Sequence, residues 1–196
     1  MAVASTFRTK ERVPSLTWFS EKYGSSMWRS SQSKAGLTTT RSPEDEALLA
    51  AIAKTVHLVS NAPPSLVVFD ARSYLAAFGN KIAGKGFESK SNYKNLEMVF
   101  CDIDNQHAVR EAWKKLRKVT NNPGHKFLSH LEHSNWLQTL SNILAASVNA
   151  SIAMKKQKCI LVHCSDGWDR TPQVCTLVQL FLDPYYRTLD GFAVLI

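Results

Sequence analysis

The residues most able to do chemistry lie together in Val162-His163-Cys164-Ser165-Asp166-Gly167-Trp168-Asp169-Arg170-Thr171, where a cysteine and an arginine are separated by five residues. A loop of that length between a strand and a helix can wrap its backbone N–H groups around the oxygens of a phosphoryl group, with the helix N-terminus behind them. Gly167 supplies the positive φ such a curl requires. Arg170 can close the cradle with a two-pronged fork onto two oxygens, leaving Cys164 at its base, aimed at phosphorus. In such surroundings a thiol falls from about 8.5 to roughly 3.5–7.5. The implied reaction is two in-line displacements through a cysteinyl-phosphate. It requires no metal and no cofactor, because the amides and Arg170 take that part. Cys-x5-Arg alone is a weak pattern; His163, Gly167, Thr171 and the strand–loop–helix setting strengthen it. The competing reading is a buried core cysteine that precedes a loop.

Four neighbours carry two readings each. Asp166 and Asp169 place carboxylates beside an anion they should repel, so each either handles a proton at the leaving oxygen or bonds loop N–H groups and points away. The Thr171 hydroxyl either stabilises the departing thiolate, caps the helix, or does both. His163 is expected to orient the loop, or to bond a carbonyl near Cys164.

These residues need a frame to hold them. Leu66–Asp70, Leu96–Cys101 and Cys159–His163 are short, continuous apolar runs, expected as strands buried on both faces. Between them fall helical patterns: Ser42-Pro43 followed by three acids, a start with cap, proline and charge in place; about 73–82; a stripe through Val109, Ala112, Trp113 and Leu116; apolar positions at 136/137, 140, 143/144, 148 and 152; and a helix opening at Thr171-Pro172 and ending at Asp183-Pro184. The first 40 residues read as short strands and loops. Alternating strands and helices predict an α/β fold with a central, mostly parallel sheet flanked by helices. The apolar run Phe192–Ile196 reads as an element cut short.

Composition narrows the partners. The 196 residues carry 24 Lys+Arg against 16 Asp+Glu, a formal charge of +8, which leaves nucleic acid, a membrane surface or a phosphorylated substrate open. No apolar run approaches the roughly 18 residues of a membrane span, and no secretory leader is expected. Four cysteines are too sparse for a disulfide scaffold, so a reducing, cytoplasmic or nuclear setting is expected. Cys101 and Cys159 are expected as core thiols, with a reversible disulfide to Cys164 as the alternative. His125, His130, Glu132 and His133 read as surface residues rather than a zinc site. The basic run Arg110–Lys118 reads as a solvated helix face, and nucleic-acid binding, resting on charge alone, is not expected.

Cys164-Ser165-Asp166-Gly167-Trp168-Asp169-Arg170-Thr171 resembles the signature of the myotubularin family of phosphoinositide 3-phosphatases. Phe7-Arg8-Thr9-Lys10, Arg29-Ser30-Ser31-Gln32, Glu44-Asp45-Glu46, Gly84-Lys85-Gly86-Phe87-Glu88, Asn105-Gln106-His107 and Asp183-Pro184-Tyr185-Tyr186-Arg187-Thr188 resemble further family blocks in order, over nearly the whole chain. The resemblance implies a cysteine-phosphatase (protein-tyrosine-phosphatase-like) fold, and removal of the 3-phosphate from phosphatidylinositol 3-phosphate and phosphatidylinositol 3,5-bisphosphate. By it Cys164 is the nucleophile, Arg170 binds phosphate, Asp169 is the acid, and Ser165, Asp166, Gly167 and Trp168 complete the substrate loop. Asn80 and Asn105 match headgroup-pocket positions; Gln106 replaces the family's usual aliphatic residue. It implies a peripheral position on endosomal membranes in the cytoplasm, and homo- or hetero-oligomers with family members. It implies a phosphatase domain over residues 1–196 that stops short of the family's C-terminal helices and lacks its upstream lipid-binding domain. Two alternatives share the loop: a non-catalytic fragment that binds phosphoinositide or an active relative, and a dual-specificity or tyrosine protein phosphatase.

Overall fold

Cys159–His163 has five consecutive buried residues because it is the middle strand of a five-stranded sheet. The computed structural model describes residues 2–38, 40–58 and 61–196. Its elements are α1 (Ala2–Thr6), β1 (Ser15–Ser20), β2 (Ser25–Ser30), α2 (Pro43–Lys54), β3 (Leu66–Asp70), α3 (Tyr74–Ile82), β4 (Leu96–Phe100), α4 (Gln106–Asn121), α5 (Phe127–His133), α6 (Trp136–Lys155), β5 (Cys159–His163), α7 (Arg170–Leu182) and α8 (Leu189–Leu195), joined by loops and 3-10 turns. The sheet order is β1-β2-β5-β3-β4, and only the β1–β2 pair is antiparallel. This is the expected mixed α/β architecture with a mostly parallel sheet.

Two layers of core explain why β3 and β5 are apolar throughout. Alternate residues point to opposite faces. Val67, Phe69, Ile160 and Val162 pack with Ala146, Ala150 and Met154 of α6 and Val174 and Val178 of α7. Leu66, Val68, Cys159 and Leu161 join Leu49, Ile52 and Ala53 of α2 with Tyr93 on the other face. β4 departs from the buried-strand expectation. It pairs with β3 alone, so it is an edge: Glu97 is exposed and takes Lys158 in an ion pair at 2.8 Å.

The helix starts follow their caps. Ser42 Oγ accepts from the Asp45 N–H at 3.3 Å, with Pro43 at the first helical position, and Ser73 Oγ accepts from Ala76 at 3.1 Å. α6 forms where its apolar period predicts, but Leu137, Leu140, Leu144, Val148 and Ile152 lie on its exposed side. The buried side is small: Ala146, Ser147, Ala150, Ser151 and Ala153, with Met154. The Ser147 and Ser151 hydroxyls donate to carbonyls one turn back at 2.8 Å, so they enter the interior already paired. Among the described residues no helix is long and apolar enough to cross a membrane.

The two faces of the core make a stability test. Leu161→Ala, at a fully buried position, should cost about 2–5 kcal/mol in urea unfolding. Leu144→Ala, on the exposed stripe, should stay within about 1 kcal/mol. Equal losses at both sites would show the stripe to be packed.

Candidate active site

Because β2, β5 and β3 run parallel, their C-terminal ends meet at one edge, the usual crevice for a ligand in such sheets. There His163 of β5 lies opposite Ser30 and Asp70, and the chain turns into the loop that ends at α7. Gly167 has φ +75°, and a Cβ there would come within 2.3 Å of the Ser30 carbonyl oxygen. Both conformation and space require glycine. The turn brings the Gly167 N–H to 3.2 Å from Cys164 Sγ, donating to it.

The loop's carbonyls are tied down on its outer side. Arg12 Nη1 donates to the Asp166 carbonyl at 2.6 Å, Arg29 Nη2 to the Gly167 carbonyl at 2.7 Å, and the Gln32 N–H to the Ser165 carbonyl at 3.2 Å. Pinning successive carbonyls outward frees the amides to turn inward toward an anion, as the Gly167 and Thr171 N–H groups do toward the sulfur. The Arg12 guanidinium also lies 4.3 Å from the ring centroid of Trp168, whose side chain is largely exposed at the rim.

Arg170 is held loosely, by long bonds to the Ile103 carbonyl at 3.4 Å and Ser165 Oγ at 3.5 Å, while its buried Nε has no partner. The donors of the guanidinium are therefore largely unspent beside the loop. The Thr171 hydroxyl is also buried, with no nitrogen or oxygen as a hydrogen-bond partner. It does not cap α7, whose N-cap residue, Asp169, makes no side-chain cap either. The capping reading of Thr171 is thus set aside, and the hydroxyl is available to the sulfur. Burial pushes the Cys164 thiol up, but the Thr171 hydroxyl, the Gly167 N–H, Arg170 and the Thr171 N–H more than offset it, so the thiol titrates below its ordinary value. Cys101 and Cys175, lacking such donors, are pushed up by burial to about 12. All four cysteines are free thiols.

A cavity of about 670 Å³ opens over the loop. Cys164, Ser165, Asp166, Trp168, Asp169 and Arg170 form one wall; Asn80 on α3 and Asn105 and Gln106 at the start of α4 form another. The structure therefore gathers every residue expected at the site, with Gly167 acting from beneath as the turn. Asn105 caps α4, its Oδ1 accepting from His107 and Ala108 at 2.9 and 3.1 Å, and Asn80 Nδ2 donates to the Ala76 carbonyl at 2.8 Å. Asp166 and Asp169 are both exposed, and Asp169 accepts from Gln173 Nε2 at 3.2 Å. His163 Nδ1 lies 3.2 Å from the Cys164 carbonyl, the contact expected of it.

Sequence reasoning missed four arginine roles and one histidine. Arg12 and Arg29 hold the loop from outside, and His107 lines the cavity. Arg72, also on the wall, is fully buried; it forks onto Asp70 at 2.8 and 2.6 Å and bonds Gln32 Oε1 and the Gly86 carbonyl. Arg8 is buried behind the loop, where Asp45 and Glu88 meet it. Arg8, Arg29 and His107 each sat in a block of otherwise unexplained residues, whereas nothing in the sequence singled out Arg12 or Arg72. Among the described residues no cluster of His, Cys, Asp or Glu could hold a metal ion, and the His125–His133 group is exposed.

A strand–loop–helix cradle with a depressed thiol, donor-rich arginine and inward amides defines a site for attack on a phosphoryl group. The chain matches the myotubularin-like phosphatase domain over residues 1–196 and belongs to that family. It is 41% identical over 98% of its length to phosphatidylinositol-3,5-bisphosphate 3-phosphatase MTMR8 of Gallus gallus, covering 30% of that protein. It is likewise 41% identical over 98% to phosphatidylinositol-3-phosphate phosphatase MTMR7 of Mus musculus, covering 29%, and 38% identical over 98% to myotubularin of Xenopus tropicalis, covering 32%. The chain thus spans less than a third of each of these relatives.

Gly167→Ala tests the cradle itself. The strain and the clash with Ser30 should cost about 1–3 kcal/mol, and vanadate affinity should fall at least about tenfold, since the amides no longer converge. Titration of the folded variant that gives wild-type affinity would show the curl to be dispensable.

Proposed function

We propose that this chain carries the reaction centre of a phosphoinositide 3-phosphatase with the cysteine-phosphatase fold, acting on phosphatidylinositol 3-phosphate and phosphatidylinositol 3,5-bisphosphate. The single observation that carries the reading is the Cys164 thiol, held below its ordinary pKa at the bottom of an amide-lined loop with Arg170 beside it. The activities for which the relatives are named support the substrate class.

In the first step the Cys164 thiolate attacks phosphorus in line with the ester oxygen at inositol position 3. The S–P bond forms as the P–O bond breaks, and Asp169 gives its proton to the leaving oxygen. The loop amides and Arg170 take up the charge on the equatorial oxygens. In the second step water attacks phosphorus and Asp169 recovers a proton. The S–P bond then breaks, and inorganic phosphate leaves with the thiolate accepting from Thr171 Oγ1. Asp169 suits this role because it is exposed at the mouth rather than buried against the phosphate. Asn80, Asn105 and Gln106 line the same cavity, which supports a role for them in meeting the inositol ring.

The reading carries a setting with it: a peripheral position on endosomal membrane from the cytoplasm, reached as a homo- or hetero-oligomer of family members. The +8 charge supports an anionic lipid surface.

Phosphate release from short-chain phosphatidylinositol 3-phosphate tests the reaction. Cys164→Ser should abolish turnover, and Asp169→Asn should lower kcat by about 10²–10⁴ with little change in KM. Turnover surviving Cys164→Ser would remove the mechanism. Headgroup binding without any turnover by the wild-type chain would favour the binding-only alternative, and faster release from phosphotyrosine would favour a protein substrate.

A further inference from the structure

Three segments with no part in the cradle meet behind it. Arg8, Asp45 of the first turn of α2, and Glu88 of the loop after α3 are all fully buried. Arg8 forks onto Asp45 through Nε and Nη2 at 2.8 and 2.6 Å and donates through Nη1 to Glu88 Oε1 at 2.5 Å. The Tyr93 hydroxyl donates to Asp45 Oδ2 at 2.8 Å. The other oxygen of Glu88, Oε2, lies 3.1 Å from His163 Nε2.

That last contact decides the state of the histidine. Nδ1 faces the Cys164 carbonyl at 3.2 Å, and a carbonyl only accepts, so Nδ1 must carry a proton. Nε2 faces Glu88. Burial pushes that carboxyl up, but the fully buried ion pair of its other oxygen with Arg8 at 2.5 Å keeps it ionised, so it only accepts. Nε2 must therefore carry a proton as well. An imidazole with two donors is an imidazolium. Charge balance agrees: with His163 charged, two buried cations meet two buried anions, whereas a neutral ring would leave one anion without a counter-charge. The remaining charges near the ring, Asp70 and Arg72, are paired with each other. Burial opposes the charge on His163, yet Glu88 and then Asp70 outweigh burial and Arg72, and raise its pKa.

We propose that Glu88 is a positioning residue for the reaction centre: its carboxylate, itself fixed by Arg8, keeps His163 doubly protonated, so that the ring clamps the Cys164 carbonyl and places a positive charge behind the thiolate. The proposal rests on Cys164 being the nucleophile. It links the N-terminal segment to the loop through one unbroken chain of bonds, Arg8 to Glu88 to His163 to Cys164.

The linkage has a sign at each end. Glu88, lowered on folding, stabilises the fold above its unfolded pKa of about 4.3, and that contribution is lost as pH falls through its folded value. His163, raised on folding, contributes fully below about 6.5, and loses it as pH rises through its folded value.

Glu88→Gln keeps the size and an accepting oxygen but removes the charge. The pH midpoint of iodoacetamide alkylation at Cys164, read by peptide mapping, should move up by about half to one pH unit. Long-range 1H–15N spectra of the wild-type chain at pH 7 should show both His163 nitrogens protonated, and those of the variant only one. A folded Glu88→Gln variant with the wild-type midpoint would overturn the proposal. So would a neutral His163 in the wild-type spectrum, which decides the matter even where the variant does not fold. Alkylation and spectra need no lipid, so failure of the lipid substrate in turnover assays leaves this test intact and distinguishable.

Discussion

The site depends on one close approach. The backbone of Gly167 lies against the carbonyl of Ser30 so tightly that a single added carbon would sit 2.3 Å from that oxygen. With the chain in that place the Gly167 N–H meets Cys164 Sγ, and Arg29 of β2 and Arg12 just before β1 reach the loop's carbonyls. The approach is in turn a property of the sheet. β2 must lie beside β5 and parallel to it for Ser30 to stand opposite His163. The N-terminal hairpin, which has no chemistry of its own, therefore forms the back wall of the reaction centre.

Charge is distributed by the same geometry. The molecule is strongly basic, but the arginines deepest in it are neutralised where they stand: Arg8 by Asp45 and Glu88, Arg72 by Asp70. Breaking such a pair from one side leaves an uncompensated buried charge, typically a loss of about 3–5 kcal/mol, so these residues hold the frame rather than attract the ligand. Attraction falls to Arg170, whose guanidinium is only loosely bonded, and to amide dipoles that carry no net charge. A dianion entering the cradle meets donors already oriented, with little reorganisation to be made.

How much of this was legible in the sequence depended on whether the cause was local. The cap at Ser42, the curl at Gly167 and the order of strands and helices follow from neighbours in the chain, and they were readable there. The catalytic loop was readable for the same reason, since Cys164 to Thr171 is one continuous segment. What stayed hidden was settled between distant segments. Nothing near β4 says that it lies at an edge, because that depends on which strand β3 pairs with on its other side. The apolar stripe of α6 marks the helix but not its buried face, because serines paired to their own backbone were free to go inside. Arg8 and Glu88 are 80 positions apart, and no pattern in either segment announces the other.

The two carboxylates in the loop, the feature least compatible with a simple phosphate cradle, are reconciled by where the loop faces. A curl that pins its carbonyls outward still leaves its side chains exposed, and Asp166 and Asp169 lie on the open part of the cavity wall, in contact with water. Asp169 bonds Gln173 one turn into α7, which holds it at the exposed end of the loop. Repulsion from a bound phosphate is screened there by water and opposed by Arg170, whereas a carboxylate at the base would have faced both phosphate and thiolate at low dielectric. The base is instead reserved for Thr171, an uncharged hydroxyl that can donate to sulfur in either step. On the proposed mechanism, an ionisable acid at the exposed end and a neutral donor at the buried end would let one short segment bind an anion and still deliver a proton.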